Sequence, residues 1–359
     1  MQIINKFFKL QKVYIFFISL VLFIIFFSTS FLNANPFKVS DIEISSPFEL
    51  NFNKNRVLDE GFRVAFLNLI SMITTSDDRN KVKNTSLKEV RSMIDSFTIS
   101  DEKFIKNEYS AKLETTFNKK KALTFLEKNN IFPSTPLRNK VLLIPIMVDL
   151  EKDEIYFFTN NIFYNKWNSE TKNYHLLEYL LPSEDIEDLS NIQQTSSSIE
   201  NYDFTDLINK YDLPDYIVSI IFKDGNEIKV LSKINLNNSL KVHNQKFEKI
   251  NLNDEKDFEI ILENLKTTYE NHWKKNNEIN TSIKLPLTIS IDSTEYDKIQ
   301  DLEKMLNSTD LVSNFYILKF NNKNTYYKII YNGSPKTFFN DINKRSLDLI
   351  IVDNVWTIK

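Results

Sequence analysis

The sequence predicts an α/β (α+β) protein of successive small mixed α/β domains behind an export segment, the last domain a ferredoxin-like βαββαβ unit with an added C-terminal hairpin. Two observations carry the fold class. Apolar stripes at three- and four-residue spacing alternate along the chain with runs of period two, and the last hundred or so residues show these patterns in the order βαββαββ. A third feature, a basic N-terminus running into a long apolar stretch, sets the compartment. With 42% hydrophobic and 26% charged residues among 359, the chain can build more than one core.

Lys6, Lys9 and Lys12 precede an apolar run over 13–27 broken only by Ser19, then come Ser28-Thr29-Ser30, Ala34 and Pro36. This is the layout of a secretory signal peptide with small residues where a peptidase cuts. Continued through Phe31 and Leu32 it reaches about 20 residues, the length of a bilayer span. Residues 1–34 are therefore a signal peptide or a single N-terminal anchor. In both cases the lysines stay inside and the chain beyond Pro36 is exported, so a periplasmic or cell-envelope location is expected. Membrane contact is expected only through this segment, if uncleaved.

The first domain, 36–137, opens with alternation over 37–44. A helix follows, marked by Leu58, Phe62, Ala65, Phe66, Leu69 and Ile73 on one face. Gly61 inside it costs about 1 kcal/mol relative to alanine, which points to close packing at that turn. A short helix near 87–94 leads to strands over 97–99 and 109–117, and Asn118 caps another helix. The order is βα(α)ββα, ending near Pro133 and Pro136.

The middle domain, 138–253, has a continuously apolar strand over 141–148, as expected of one covered on both faces; Pro145 predicts a bulge or bend. Helices are read at 183–192 and 199–211. Strands over 216–222 and 227–234 join as a hairpin through Asp224-Gly225. The third domain, 254–359, starts with a connector helix carrying Phe258, Ile261, Leu262, Leu265, Tyr269 and Trp273. It continues with a strand at 287–291, a helix with Ile299, Leu302 and Leu306, a hairpin of 315–320 with 325–331, a helix from Ser334-Pro335, and strands over 347–352 and 355–358 turning at Asp353-Asn354.

Composition excludes several chemistries. The only glycines, Gly61, Gly225 and Gly333, are isolated, so neither a dinucleotide-binding glycine loop nor a P-loop can be formed. The absence of cysteine removes disulfides, thiolate metal sites, cysteine nucleophiles and lipid-modified cysteine. The formal charge is −3; without the first 34 residues 42 basic stand against 48 acidic residues, which does not favour nucleic acid as a partner.

Several stretches together resemble the proteobacterial domain of unknown function 2066 family. They are Arg56 to Ala65 with Gly61 between, 90–99 leading to Tyr109-Ser110-Ala111-Lys112-Leu113 and Thr116-Phe117-Asn118, the strand at 141–145, 161–167 ending in Trp167, the proline-then-acidic stretch 181–189, and the final 353–358. The likeness covers nearly all of the exported chain. It departs where the family shows glycine before the acidic pair and this chain has Ser183-Glu184. The resemblance implies a fold and an envelope location; the family carries no assigned activity and supplies no catalytic residues.

Residue patterns offer few sites. His175, His243 and His272 lack metal-ligand spacing. Ser100 and Lys103 fit Ser-x-x-Lys without its companion motifs, and a turn is expected there. Glu184, Asp185, Glu187 and Asp188 lie at a helix start; capping is the plainer reading, and Glu184, Asp185 and Asp188 are the weak candidates for a hard-cation site. Lys119-Lys120-Lys121 on a first helical turn reads as a solvated face or an anion contact. Trp167, Trp273 and Trp356 read as packing anchors. No cofactor and no catalytic residue is assigned. The expectation is a non-catalytic interaction or assembly module with an envelope protein partner; the rivals are an exported hydrolase with a motif-less site and a small-ligand or lipid-binding protein.

Overall fold

The computed structural model describes residues 37–169, 172–279, 283–309, 311–343, 347–352 and 355–358. The export segment expected at 1–34 and the turn expected at Asp353-Asn354 lie outside them. Helices and strands are mixed around three sheets, an α+β fold of several small domains.

The first sheet has the order β1-β3-β2, with β1 Lys38–Pro47, β2 Ile94–Ile105 and β3 Glu108–Phe117. Along β1 the buried positions change from odd, Val39, to even, Ile42 and Ile44. Asp41 between them is left-handed, at φ 57°, and such an extra residue shifts the side-chain phase by one. In β3 every second residue from Tyr109 to Phe117 is buried. Helix α1 (Lys54–Ile73) starts at Asn53, whose side chain accepts from the N–H groups of Asn55 and Arg56, and it buries the stripe that the spacing predicts. A Cβ on Gly61 would stand 2.7 Å from Leu113 Cδ2 and 2.8 Å from Ile44 Cγ2. Glycine is therefore what lets this helix approach the sheet so closely. Helices α2 (Ser76–Val82), α3 (Leu87–Met93) and α4 (Lys119–Lys128) complete the unit. The extra helix α2 buries a single residue, Val82, too weak a stripe to be read from spacing.

Strand β4 (Asn139–Asp149) centres the second sheet, whose order is β5-β4-β7-β8-β9 with β6 also on β4. Here β5 is Glu154–Tyr156, β6 Leu177–Leu180, β7 Tyr216–Asp224, β8 Glu227–Leu236 and β9 Ser239–Phe247. Val141, Leu143 and Met147 enter one core, and Leu142, Ile144, Ile146 and Val148 another, so both faces of β4 are covered. Of the bulge or bend expected at Pro145, the bulge is not there: β4 pairs with β7 from Leu142 to Asp149 without a shift. On the other side β6 pairs with 139–142 and β5 with 147–149, which leaves Pro145 in the gap. Its carbonyl accepts from the Asn161 side chain at 3.1 Å. N–H and C=O of a strand residue point to the same side, so the N–H that proline lacks faces this gap and costs no ladder bond.

Helices α5 (Ile162–Lys166) and α6 (Ile186–Gln193) precede a further correction. The helix expected over 199–211 is split into a 3-10 helix, Ser196–Asn201, and α7, Thr205–Asn209. Asp203 divides them, accepting from the N–H and hydroxyl of Thr205 at 3.0 and 2.6 Å. Helix α8 (Glu255–Asn276) buries the predicted face. That face packs on Val141, Leu143, Ile217 and Val230 of the second sheet, so the helix expected as a connector to the last domain contributes to the middle core.

The third sheet has the order β11-β12-β10-β14-β13, with β10 Leu285–Asp292, β11 Val312–Phe320, β12 Asn324–Tyr331, β13 Leu349–Val352 and β14 Val355–Ile358. Helices α9 (Tyr296–Ser308) and α10 (Pro335–Asn343) supply Leu302, Met305, Leu306, Phe338 and Ile342 to its core. The βαββαββ order stands. The hairpin, however, puts its second strand, β14, parallel beside β10 and leaves β13 outermost.

Candidate functional site

Two acids of the group at α6 are partnered from within the fold. Asp185 caps the helix, accepting from the N–H groups of Glu187 and Asp188 at 2.8 and 3.3 Å. The Lys210 ammonium lies 3.2 Å from Asp185 and 2.8 Å from both oxygens of Asp188. This lysine, helped by the two backbone N–H groups, holds the Asp185 carboxyl below its usual range. A hard cation would have to displace an ammonium that the fold already supplies, and Glu184 makes no contact that completes a ligand set. Among the described residues no three His, Asp or Glu side chains converge.

The other sequence candidates also resolve into packing. Ser100 and Lys103 lie within β2 and not in a turn; Asp101, at φ 53°, sits in the register shift between them. Lys119 and Lys121 donate to the carbonyls of Thr309 and Ser92 at 2.8 and 2.9 Å, and Lys120 reaches Asn314 at 3.4 Å. Trp167 is buried, 6.0 Å from Tyr269 in a stacked pair; Trp273 donates to Leu137 O at 2.8 Å; Trp356 packs near Phe338. His175 is buried and His272 nearly so, and desolvation lowers both, His175 to about 4.

Spacing gave no hint of the buried charges on α8. Glu270 accepts from the N–H groups of Leu176 and Leu177, both at 2.8 Å, and its second oxygen lies 3.7 Å from Lys274. Lys274 donates to Ser71 O at 2.5 Å. Burial raises the Glu270 carboxyl and lowers the Lys274 ammonium, each opposed by its partner. The adjoining cavity, lined in part by Arg79, His175 and Asn271, holds about 20 Å³. That is room for one water, not for a substrate, so the cluster works as a joint.

Two of the larger open clefts lie along α8 and beside α4. One, of about 640 Å³ along α8, is lined in part by two ion pairs, Lys166 with Glu255 at 3.6 Å and Lys172 with Glu263 at 3.1 Å. The other, of about 600 Å³, lies between α4 and the start of β11. It adjoins an exposed apolar edge: Tyr316, Ile317, Leu318 and Phe320 on β11 are 48, 50, 50 and 77% exposed.

Edge strands offer unpaired backbone groups to other chains, and proteins guard them with charge, proline, bulges or brevity. Guards are visible on the others. β5, β6 and β13 have 3, 4 and 4 residues. β1 carries Asp41, Glu43 and Pro47; β2 carries Asp95, Asp101, Glu102 and Lys103; β9 carries Lys241 and Lys246. β11 has 9 residues and a single charge, Lys319, with two register shifts. The hairpin was legible in the sequence, but which of its strands lies outermost depends on the sheet order. Neither a protein-family model nor a curated protein matches the chain.

Proposed function

We propose that the chain is a non-catalytic interaction or assembly module of the cell envelope, and that the outer edge of β11 is its working surface. The carrying observation is the long, apolar, weakly guarded edge strand, which takes an added strand through main-chain hydrogen bonds. The basic and apolar N-terminal segment supports the envelope location, and the likeness to the domain of unknown function 2066 family fits the same reading. The places where titratable groups gather support it as well: Lys210 pairs with Asp185 and Asp188, and the α8 pair adjoins a single-water cavity.

Photo-crosslinking in intact cells tests this, with a benzophenone side chain at Leu318 on β11 and, as the control edge, at Val242 on β9. A discrete adduct with one envelope protein from position 318 but not from 242 is the expected result. Monomer alone from both positions, or the same adducts from both, overturns the assignment.

A further inference from the structure

The surface around β11 also indicates what it takes. Resting on the reading of β11 as the working edge, we infer that this edge and the adjoining cleft bind an extended acidic peptide segment. From 312 to 331 the β11-β12 hairpin holds Lys319, Lys323 and Lys328 and no Asp or Glu, in a chain whose formal charge is −3. At the start of β11 the cleft of about 600 Å³ is lined by Lys119, Lys120 and Lys284 against one acid, Glu127, which pairs with Lys284 at 2.8 Å. Positive groups therefore stand near the end of β11, in the turn that follows it and at the cleft by its beginning, an arrangement complementary to carboxylates.

The cleft has an apolar floor that includes Leu123, Leu306 and Phe315. Asn332, buried in its wall, has a side-chain oxygen with no hydrogen-bond partner. A buried acceptor in this state calls for a donor, and a peptide backbone brings N–H groups. The shifts at 312–314 and 317–319 leave 314–317 as the straight part of β11. A ladder of about four residues is short, so charge has to supply much of the selectivity. A second copy of this chain fits poorly, because pairing β11 with itself would bring two lysine-bearing, acid-free hairpins together.

The test uses the full-length chain in mild detergent and two labelled peptides with one valine-threonine frame, one glutamate-rich and one lysine-rich, read by fluorescence anisotropy. The glutamate-rich peptide is expected to bind on the order of tenfold more tightly at low salt, with the difference shrinking as salt is added. Reversing charge in a Lys120→Glu, Lys319→Glu double variant should remove that preference. Successive strand residues point their N–H groups to opposite neighbours, so of Tyr316→Pro and Ile317→Pro one spares the β12 ladder. Whichever keeps the parent melting temperature is the edge-blocked form, and it should bind neither peptide.

Equal binding of both peptides, lost in the edge-blocked form, overturns the acidic partner and leaves the edge assignment standing. Binding that survives the edge block overturns both. Failure of the glutamate-rich peptide to bind overturns the acidic-peptide assignment, while the crosslinking at Leu318 reports separately on the edge.

Discussion

At the scale of single residues, Gly61 is the sharpest case. Alanine there gains about 1 kcal/mol of helix propensity but puts a methyl group 2.7 Å from the Leu113 side chain and 2.8 Å from that of Ile44. Overpacking of this kind costs about 1–3 kcal/mol, so Gly61→Ala should lower stability by roughly 1 kcal/mol in urea unfolding. An unchanged or higher midpoint would mean that the helix simply moves away. His175 gives a pH prediction. Its folded value of about 4 lies below the ordinary 6.5, with burial as the main cause, so below pH 6.5 the unfolded chain binds the extra proton. The stability tied to His175 is present above pH 6.5 and is lost as pH falls through about 4. The loss is on the order of 3 kcal/mol. A His175→Asn variant should show a flatter acid limb than the parent; equal limbs would place the acid sensitivity elsewhere. Gly61 was readable as a packing position because a lone glycine in an apolar stripe needs a reason. His175 was not readable, since most of the charged groups acting on it, Glu263, Lys266 and Lys274, stand on α8, far along the chain.

Among the elements, β4 and α5 depend on one polar side chain. Asn161 is fully buried; it donates to Pro145 O at 3.1 Å and Tyr156 O at 3.2 Å and accepts from Phe163 N at 2.9 Å. It thus caps α5 and satisfies the strand where Pro145 interrupts its outer edge. Asn161→Ala removes the cap and strands two buried carbonyls, a loss of about 3 kcal/mol. Chemical unfolding should show it, and an effect under about 1 kcal/mol would mean that the gap is satisfied otherwise. Legibility at this scale follows burial. The β7-β8 hairpin could be read because apolar runs flank Gly225, which is left-handed at φ 56°. β9 could not, although Asn237 and Asn238 are both left-handed, at φ 53° and 58°, as its turn requires. Its residues are mostly exposed, so no alternation marks it. β5, β6 and α5 are too short to show a period. The acidic stretch at α6 was visible, and its capping role with it, but Lys210, 22 residues beyond Asp188, was not.

For the whole molecule, the element with the widest consequence is α8, because its two sides serve different units. The apolar side closes the middle core against β4, β7 and β8. Its polar side reaches the first unit: Lys274 donates to Ser71 O, and Asn271 accepts from Ser76 N at 2.9 Å and donates to its hydroxyl at 2.8 Å. Just beyond the helix, Ile279 N donates to Pro133 O at 2.7 Å and Ser134 N donates to Ile73 O at 2.7 Å, so the link between the units runs back to the end of α1. A stripe in the sequence shows that a helix has an apolar face; it does not show which sheet receives it, and the buried charges on the other side leave no pattern. If α8 is the clamp, cutting its polar contacts should free the first unit and leave the middle core intact. Lys274→Met leaves Glu270 without its cation, a change worth about 3–5 kcal/mol for a buried pair, and Asn271→Ala removes two bonds of about 1 kcal/mol each. In the double variant, hydrogen exchange should speed up in the last turns of α1, in α2 and over 133–135, while β4 and β7 keep their protection. If protection falls equally in both regions, α8 is an ordinary core helix, and the joint between the two units has to be sought in the 133–137 segment alone.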